Sequence, residues 1–300
     1  MKINKVCCLL FIVFNLCSAN SILAKEALQK LIVAADERYF KIFVPEEYNQ
    51  DKSYPLVLNF HGTSSDPFSQ EALTEFEKSA QKEQFIVASP LALFTRKKGG
   101  PITWNVDYEL GPDDVLFASN LIEHISNVYN IDASRVYAAG FSGGARMSSR
   151  LACDIPQKIA AIAPVAGLRF PDNCQPNQAI PVISFHGEKD TINHYILQKN
   201  SPVYWKMGIP ESLDKWVKNN HCKQFDIDIY SETVEKHRYT GCDAGADILF
   251  YKSSIAGHTW PGSSQADKFV KFGLGITEKK LNATNLIWKF FTEHPKPKQR

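Results

Sequence analysis

Several things are scarce in this 300-residue sequence, and each scarcity removes a class of explanation. Net charge is nearly absent. Thirty-four Lys and Arg against 32 Asp and Glu leave +2, so neither nucleic acid nor an anionic membrane is indicated as the main partner. Long apolar runs are missing too: the stretch from Val6 to Leu16 is too short to span a bilayer comfortably. The seven cysteines include no C-x-x-C pair and no His at zinc-ligand spacing, which argues against a metal site. No metal or cofactor is expected. There is no low-complexity tract, linker or internal repeat, and the composition is that of a globular chain.

What is present begins with a leader. Lys2 and Lys5 precede the apolar stretch, and small and mixed residues follow up to Ala24, which is the order of a secretory signal. Cleavage after Ala24 is expected, with Ile22 at the minus-three position; cleavage after Ala19 is the alternative. Cys17 invites a lipoprotein reading, but Leu16 stands where a small residue would be needed. Residues 1–24 are therefore read as a signal peptide and 25–300 as a single exported domain, secreted or periplasmic. Export removes Cys7, Cys8 and Cys17 and leaves Cys153, Cys174, Cys222 and Cys242. An even number in an exported chain suggests two disulfides. Of the three connectivities, sequence-local pairing is the simplest, each bridge closing a loop of about 20 residues worth roughly 3 kcal/mol on chain-entropy grounds.

Apolar patterning divides the remainder into alternating strands and helices. Strands are expected at 38–45, 55–60, 85–88, 135–139, 159–165, 180–185, 226–230 and 246–252. The runs at 55–60 and 85–88 are almost continuously apolar, as in strands buried on both faces of a parallel sheet. Helices are expected at 70–84, 113–129, 145–152, 211–219 and 282–293, the first and last by apolar residues at helical spacing. Asp113 and Asp114 read as helix-start and loop-anchoring residues. Residues 91–111 form a long irregular segment, a kind usually functional or mobile. The whole is an α/β layer structure, a mainly parallel sheet with helices on both faces.

Gly140-Phe141-Ser142-Gly143-Gly144 has the spacing of a nucleophile elbow, and it lies between an expected strand and an expected helix, as that motif requires. A serine at a strained turn needs neighbours with almost no side chain. Its hydroxyl also needs a base, and the base needs an orienting acid. In α/β-hydrolases these follow in the order Ser, acid, His, each on a loop after a strand. Asp190 and Glu188 both lie just beyond the 180–185 strand. Among the later histidines, His194 is too close to the acid and His221 adjoins a cysteine expected to be bridged. His237 falls in a polar stretch and His294 ends the last helix. His258 follows the 246–252 strand inside Ala256-Gly257-His258-Thr259-Trp260-Pro261-Gly262 and meets the requirement. Backbone N–H donors for an oxyanion are expected at Gly143 and, from the turn after the 55–60 strand, at Thr63. His61, before a glycine at that strand end, is read as shaping the turn.

Taken together, His61-Gly62, Asp113-Asp114-Val115, the Gly140–Gly144 elbow, His186-Gly187-x-x-Asp190, Gly257-His258-Thr259-Trp260-Pro261-Gly262 and the closing Ala283–Phe291 segment resemble the secreted polyhydroxybutyrate-depolymerase-like and feruloyl-esterase group of α/β-hydrolases, over about residues 36–295. The resemblance implies an α/β-hydrolase fold and the roles of Ser142, Asp190 and His258, and it selects Asp190 over Glu188. Two departures stand out. Many members carry a cysteine between the positions of Trp104 and Asp113, where this chain has none, and many have Asn or Ala at Gly143.

The chemistry expected is acyl transfer through a serine ester on a small or oligomeric substrate, with Trp260 and Trp104 walling the acyl or alcohol pocket. Aromatic esters on plant polysaccharide, acetyl esters and short hydroxyalkanoate oligomers are the expected classes. A serine peptidase of the same fold and a secreted, inactive binding protein are the rival readings. Oligomeric state is not legible.

Overall fold

A computed structural model of the protein describes residues 28–297, residues 108 and 177 excepted. The expected signal segment 1–24, with Cys7, Cys8 and Cys17, lies outside the described residues. Twelve strands and seven helices follow in the order β1 (Gln29–Val33), β2 (Asp36–Phe43), β3 (Tyr54–Phe60), α1 (Pro67–Thr74), α2 (Phe76–Glu83), β4 (Ile86–Pro90), β5 (Phe94–Thr95), β6 (Ile102–Thr103), α3 (Asp114–Val128), β7 (Ile131–Phe141), α4 (Gly143–Asp154), β8 (Ala161–Val165), β9 (Val182–Gly187), α5 (Ile209–Asn219), β10 (Gln224–Ser231), β11 (Val234–Thr240), β12 (Ile248–Ser253), α6 (Ala266–Lys271) and α7 (Ala283–Glu293).

Ten of these strands form one sheet, ordered β1-β2-β4-β3-β7-β8-β9-β12-β11-β10. Its six central strands, β4 to β12 in that order, run parallel, and antiparallel pairs close both edges. This is the α/β-hydrolase arrangement, and its central strands are buried from end to end. Strand alternation sends side chains to opposite faces. Leu56, Leu58 and Phe60 of β3 join Val136 and Ala138 of β7 in one core, with α3 and α5. Val57, Tyr137, Ala139 and Phe141 join α7 in the other.

The expected helix over 70–84 is broken in two. Glu75 takes a left-handed conformation (φ 53°) as the C-cap of α1 and N-cap of α2, a state that non-glycine residues seldom reveal in sequence. β11, VEKHRYT, reads in sequence only as a polar stretch because its side chains are mostly half-buried, one strand in from the sheet edge. β1 and α6 are likewise short peripheral elements without a clear period. The 91–111 segment is organised by the small β5–β6 hairpin. Ion pairs of Arg96 with Asp107 (2.8 Å) and of Asp107 with Arg169 (2.7 Å) tie it down, and Asp114 accepts the Asn105 N–H at 2.6 Å. These non-covalent ties hold a segment that has no cysteine of its own. Asp114 is itself held by buried Arg38 at 2.5 Å, so the acidic pair does both jobs expected of it: Asp113 caps α3 and Asp114 anchors the loop.

Cys153 is bonded to Cys174 and Cys222 to Cys242. No described helix is long and apolar enough to cross a membrane.

One buried carboxyl on α1 is set against the fold. Burial and the neighbouring Glu77 push Glu71 up to about 8, with Lys41 pulling it back only in part. The unfolded chain releases this proton near 4.5, so between those values the unfolded state holds fewer protons and stability falls as pH rises. Glu71→Gln, whose amide oxygen can still accept the Glu77 N–H, is expected to raise Tm by about 5 °C or more at pH 9. At pH 4, where parent and variant are both neutral at this position, calorimetry should find them nearly equal.

Candidate active site

Six parallel strands direct their C-terminal ends to one rim of the sheet, and the loops leaving β3, β7, β9 and β12 carry the residues singled out from sequence. At the end of β7 the chain turns through Ser142, whose φ of 55° and ψ of −109° lie outside the ordinary helical and strand regions, directly into α4. Such strain persists only where the surroundings enforce it. Here they do so by close packing. A Cβ on Gly144 would lie 2.0 Å from the carbonyl oxygen of Phe60, and one on Gly140 would lie 2.3 Å from that of Gly144. α4 therefore begins in backbone contact with the end of β3, and the Ser142 N–H is held by the Val165 carbonyl of β8 at 2.9 Å.

The turn after β3 packs against that helix start. A Cβ on Gly143 would lie 3.1 Å from the Thr63 backbone nitrogen and 2.7 Å from its Oγ1, so the two amides adjoin. Gly143 opens α4, where N–H groups have no partner within the helix. Thr63 is steadied by Thr103, Oγ1 to Oγ1 at 2.8 Å, and Ser64 donates to the Ile102 carbonyl. His61 acts from beneath. Its Nδ1 donates to the Gly62 carbonyl at 2.7 Å and its Nε2 accepts the Ala92 N–H at 3.0 Å, while burial pushes its imidazole down toward the neutral form.

Asp190 lies on the loop after β9 and His258 on the loop after β12. The two loops interlock: a Cβ on Gly187 would lie 2.0 Å from the Ala256 carbonyl oxygen, and Lys189 donates to that oxygen at 3.0 Å. His258 Nδ1 donates to Asp190 Oδ2 at 2.7 Å. The other carboxylate oxygen accepts the Ile192 and Asn193 N–H groups, both at 2.8 Å. Burial works to raise the Asp190 carboxyl, but His258, His186 and the Asn193 N–H together hold it below the usual carboxylate range. An ionised Asp190 can only accept, so the proton sits on Nδ1 of His258 and leaves Nε2 as the basic atom. The imidazole packs 4.9 Å from the ring of Phe141, Ser142's neighbour. Its main chain is fixed by the Leu274 carbonyl at 2.7 Å.

The rival candidates are engaged elsewhere. Glu188 pairs with Lys252 at 3.2 Å. His194 meets Ser201, His221 meets Asp243, His237 meets Glu235, and His294 meets the Phe290 carbonyl. Both tryptophans require a correction. Trp104 and Trp260 are each 1% exposed, and their indole N–H groups are spent on the His61 carbonyl (2.8 Å) and on Thr284 (3.1 Å). They pack under the turns that carry Thr63 and His258 and offer no open wall to solvent, because a polar tip with a protein acceptor lets a large ring be buried whole.

Sequence reading passed over His186 and Glu278. His186 is buried with Nε2 donating to the Asn193 carbonyl at 2.8 Å and lying 3.4 Å from Asp190, and desolvation pushes it toward neutrality. Glu278, 1% exposed, accepts from Thr233 at 2.7 Å and Ser253 at 3.1 Å, bracing the end of β12. The His-Gly-x-x-Asp spacing was the available signal for His186; Glu278 had none.

Residues 47–224 match the family described as phospholipase/carboxylesterase. Feruloyl esterase B of Piromyces equi is 32% identical over 194 residues, which is 59% of this chain and 34% of that protein. The bifunctional acetylxylan esterase/xylanase XynS20E of Neocallimastix patriciarum is 32% identical over 158 residues, 53% of this chain and 22% of that protein. The chain thus spans about a third or less of the length of these two relatives. Feruloyl esterase D of Neurospora crassa is 24% identical, with 71% of each chain covered. Among solved structures, an acetyl xylan esterase from Aspergillus awamori superposes with a TM-score of 0.59 at 16% identity, covering 83% of this chain and all of that one.

The Gly144–Phe60 contact gives a direct structural test. Gly144→Ala puts a methyl inside the van der Waals radius of a backbone oxygen and is expected to cost more than about 4 kcal/mol. Urea denaturation should show that loss, or the variant should fail to accumulate as folded protein.

Proposed function

Since the chain belongs to the phospholipase/carboxylesterase family and has the α/β-hydrolase fold, we propose that it is a serine hydrolase of carboxylic esters working through an acyl-enzyme. Ser142 is the nucleophile, His258 the general base and acid, and Asp190 the residue that orients and stabilises the imidazole. The observation carrying this reading is the buried 2.7 Å bond from His258 Nδ1 to an ionised Asp190, on interlocked loops beside a strained serine.

In the first step Ser142 Oγ attacks the ester carbonyl while Nε2 of His258 takes its proton. The carbonyl oxygen becomes an oxyanion facing the N–H groups of Gly143 and Thr63, donors that need no rearrangement as the charge develops. The alcohol leaves with the proton from His258. Water, deprotonated by the same imidazole, then releases the acid and regenerates Ser142.

The relatives act, by their names, on feruloyl and acetylxylan esters, and a poly(3-hydroxyalkanoate) depolymerase of Paucimonas lemoignei is 28% identical over 115 residues. On that ground the substrates proposed here are feruloyl- or acetyl-type carbohydrate esters or short hydroxyalkanoate oligomers. Residues 1–24 are proposed as the export signal and 25–300 as one catalytic domain. The two disulfides support a secreted or periplasmic destination.

Ser142→Ala is expected to lower turnover of a 4-nitrophenyl ester by roughly 10⁴–10⁶-fold, and Asp190→Asn by about 10⁴-fold. Circular dichroism should be unchanged in both. A fluorophosphonate should label wild-type Ser142 stoichiometrically; a folded protein that neither labels nor turns over esters refutes the assignment. A panel of acetylated sugar, feruloyl, short acyl and hydroxybutyrate-oligomer esters should find one class preferred in kcat/KM by about tenfold or more.

A further inference from the structure

One buried charge near the elbow is left without an answering one. Arg146 lies four residues after Ser142, one turn along α4, and is only 4% exposed. Its guanidinium carbon sits 4.7 Å from the centre of the Tyr204 ring, and its Nε and Nη1 have no hydrogen-bond partner. Burial apart, the groups acting on it are Tyr204, which favours the charged form, Arg169 and Arg96, which repel it, and Asp107, whose attraction is the weakest of these. Asp107 is already engaged, by Arg169 at 2.7 Å and Arg96 at 2.8 Å.

Arg169 repeats the pattern only in part, since its Nη2 pairs with Asp107 at 2.7 Å and with Asp172 at 3.2 Å. It is 3% exposed, and its Nε and Nη1 are also unpartnered. It follows Gly167 by two residues, and a Cβ on Gly167 would lie 2.5 Å from the Ser142 carbonyl oxygen. Both arginines therefore flank the elbow itself. Tyr204 links this corner to the acid, being acted on by both Arg146 and Asp190. Around Arg146, the cations Arg96, Arg169 and Lys206 pair with Asp107, Glu109 and Asp172, so that with Arg146 the cluster holds four cations against three carboxylates.

Burial of a guanidinium without a hydrogen-bonded counter-ion is strongly unfavourable, and a face-on aromatic ring repays only part of that. Burial lowers Arg146 to about 10, so it is still cationic at neutral pH. A planar fork with free N–H groups is the geometry that takes a carboxylate. We propose that Arg146, backed by Arg169, recognises a carboxylate on the substrate, so that the preferred ester is an anion. This inference rests on Ser142 being the nucleophile, because it defines the substrate of that same site. The carboxylate belongs either to the acyl part, as in a dicarboxylic half-ester, or to the alcohol part, as in an ester of an acidic alcohol.

Paired substrates distinguish these sources. The acyl pair is 4-nitrophenyl hydrogen adipate against 4-nitrophenyl hexanoate. The alcohol pair is the butyryl ester of 4-hydroxyphenylacetate against that of its methyl ester, followed in a pH-stat. Wild-type kcat/KM is expected to favour the anionic member by about tenfold or more in one pair, and that pair identifies the source. Arg146→Gln should bring the ratio to within about twofold of one, and Arg146→Lys should retain part of it. The wild-type ratios do not depend on either variant folding. If both ratios are at or below one while neutral esters are turned over and Ser142 is labelled, the carboxylate proposal is overturned and the hydrolase reading stands. Loss of labelling and of all ester turnover would instead overturn the hydrolase reading.

Discussion

The contact between the start of α4 and the end of β3 sets the geometry of everything around it. No atom can be added to Gly144 without entering the Phe60 carbonyl, so helix and strand meet backbone to backbone. That approach forces the turn at Ser142 and sets the Gly143 amide against Thr63. It also fixes the direction in which α4 leaves the sheet, and with it the position of Arg146 one turn later. A small steric fact at one glycine thus positions the proposed nucleophile, its oxyanion donors and a buried cation together.

Around that contact the chain uses buried polar groups as fasteners. Asn59 bonds to Thr74 and Gln70, holding α1 to β3. Arg38 and Asp114 hold the 91–111 loop. Asp190 is gripped by two backbone N–H groups on one oxygen and an imidazole on the other. Each case satisfies a buried polar group near a loop root. The site is therefore held from below by hydrogen bonds as well as by the core packing of Trp104 and Trp260.

How much of this was legible depended on whether the physics involved was local. The elbow could be read because its constraint acts within five residues and demands glycine. The central strands could be read because burial on both faces leaves a continuous apolar run, and an α/β layer structure followed from them, while the α/β-hydrolase fold was implied by the family resemblance. His258 was reachable by elimination, since only its loop followed the right strand. What escaped was non-local or compensated. β11 hides in a polar sequence because a half-buried strand next to the edge strand needs no apolar pattern. Glu75 breaks a helix in a backbone state its side chain does not announce. Trp104 and Trp260 read in sequence as pocket walls because the partners that let them be buried, the His61 carbonyl and Thr284, are 43 and 24 residues away. Arg146 looks like an ordinary helix residue until its surroundings are known.

The Cys222–Cys242 bridge lies just beyond Gln224 and Thr240, the register pair that ends the β10–β11 ladder. It closes the open end of the outermost hairpin. Among the described residues β10 has no neighbour on its far side, and Phe225, Ile227 and Ile229 alternate on one face of it, each about half exposed or more. An unguarded edge of that kind invites pairing between chains. Asp226 and Asp228, ion-paired with Arg238, deter it by charge, and the covalent staple deters it by denying the strand freedom to peel away. Closing the bridge therefore does more than add stability: it ties both strands of the outermost hairpin together at their open end, so that the exposed margin of β10 stays bound into its own sheet.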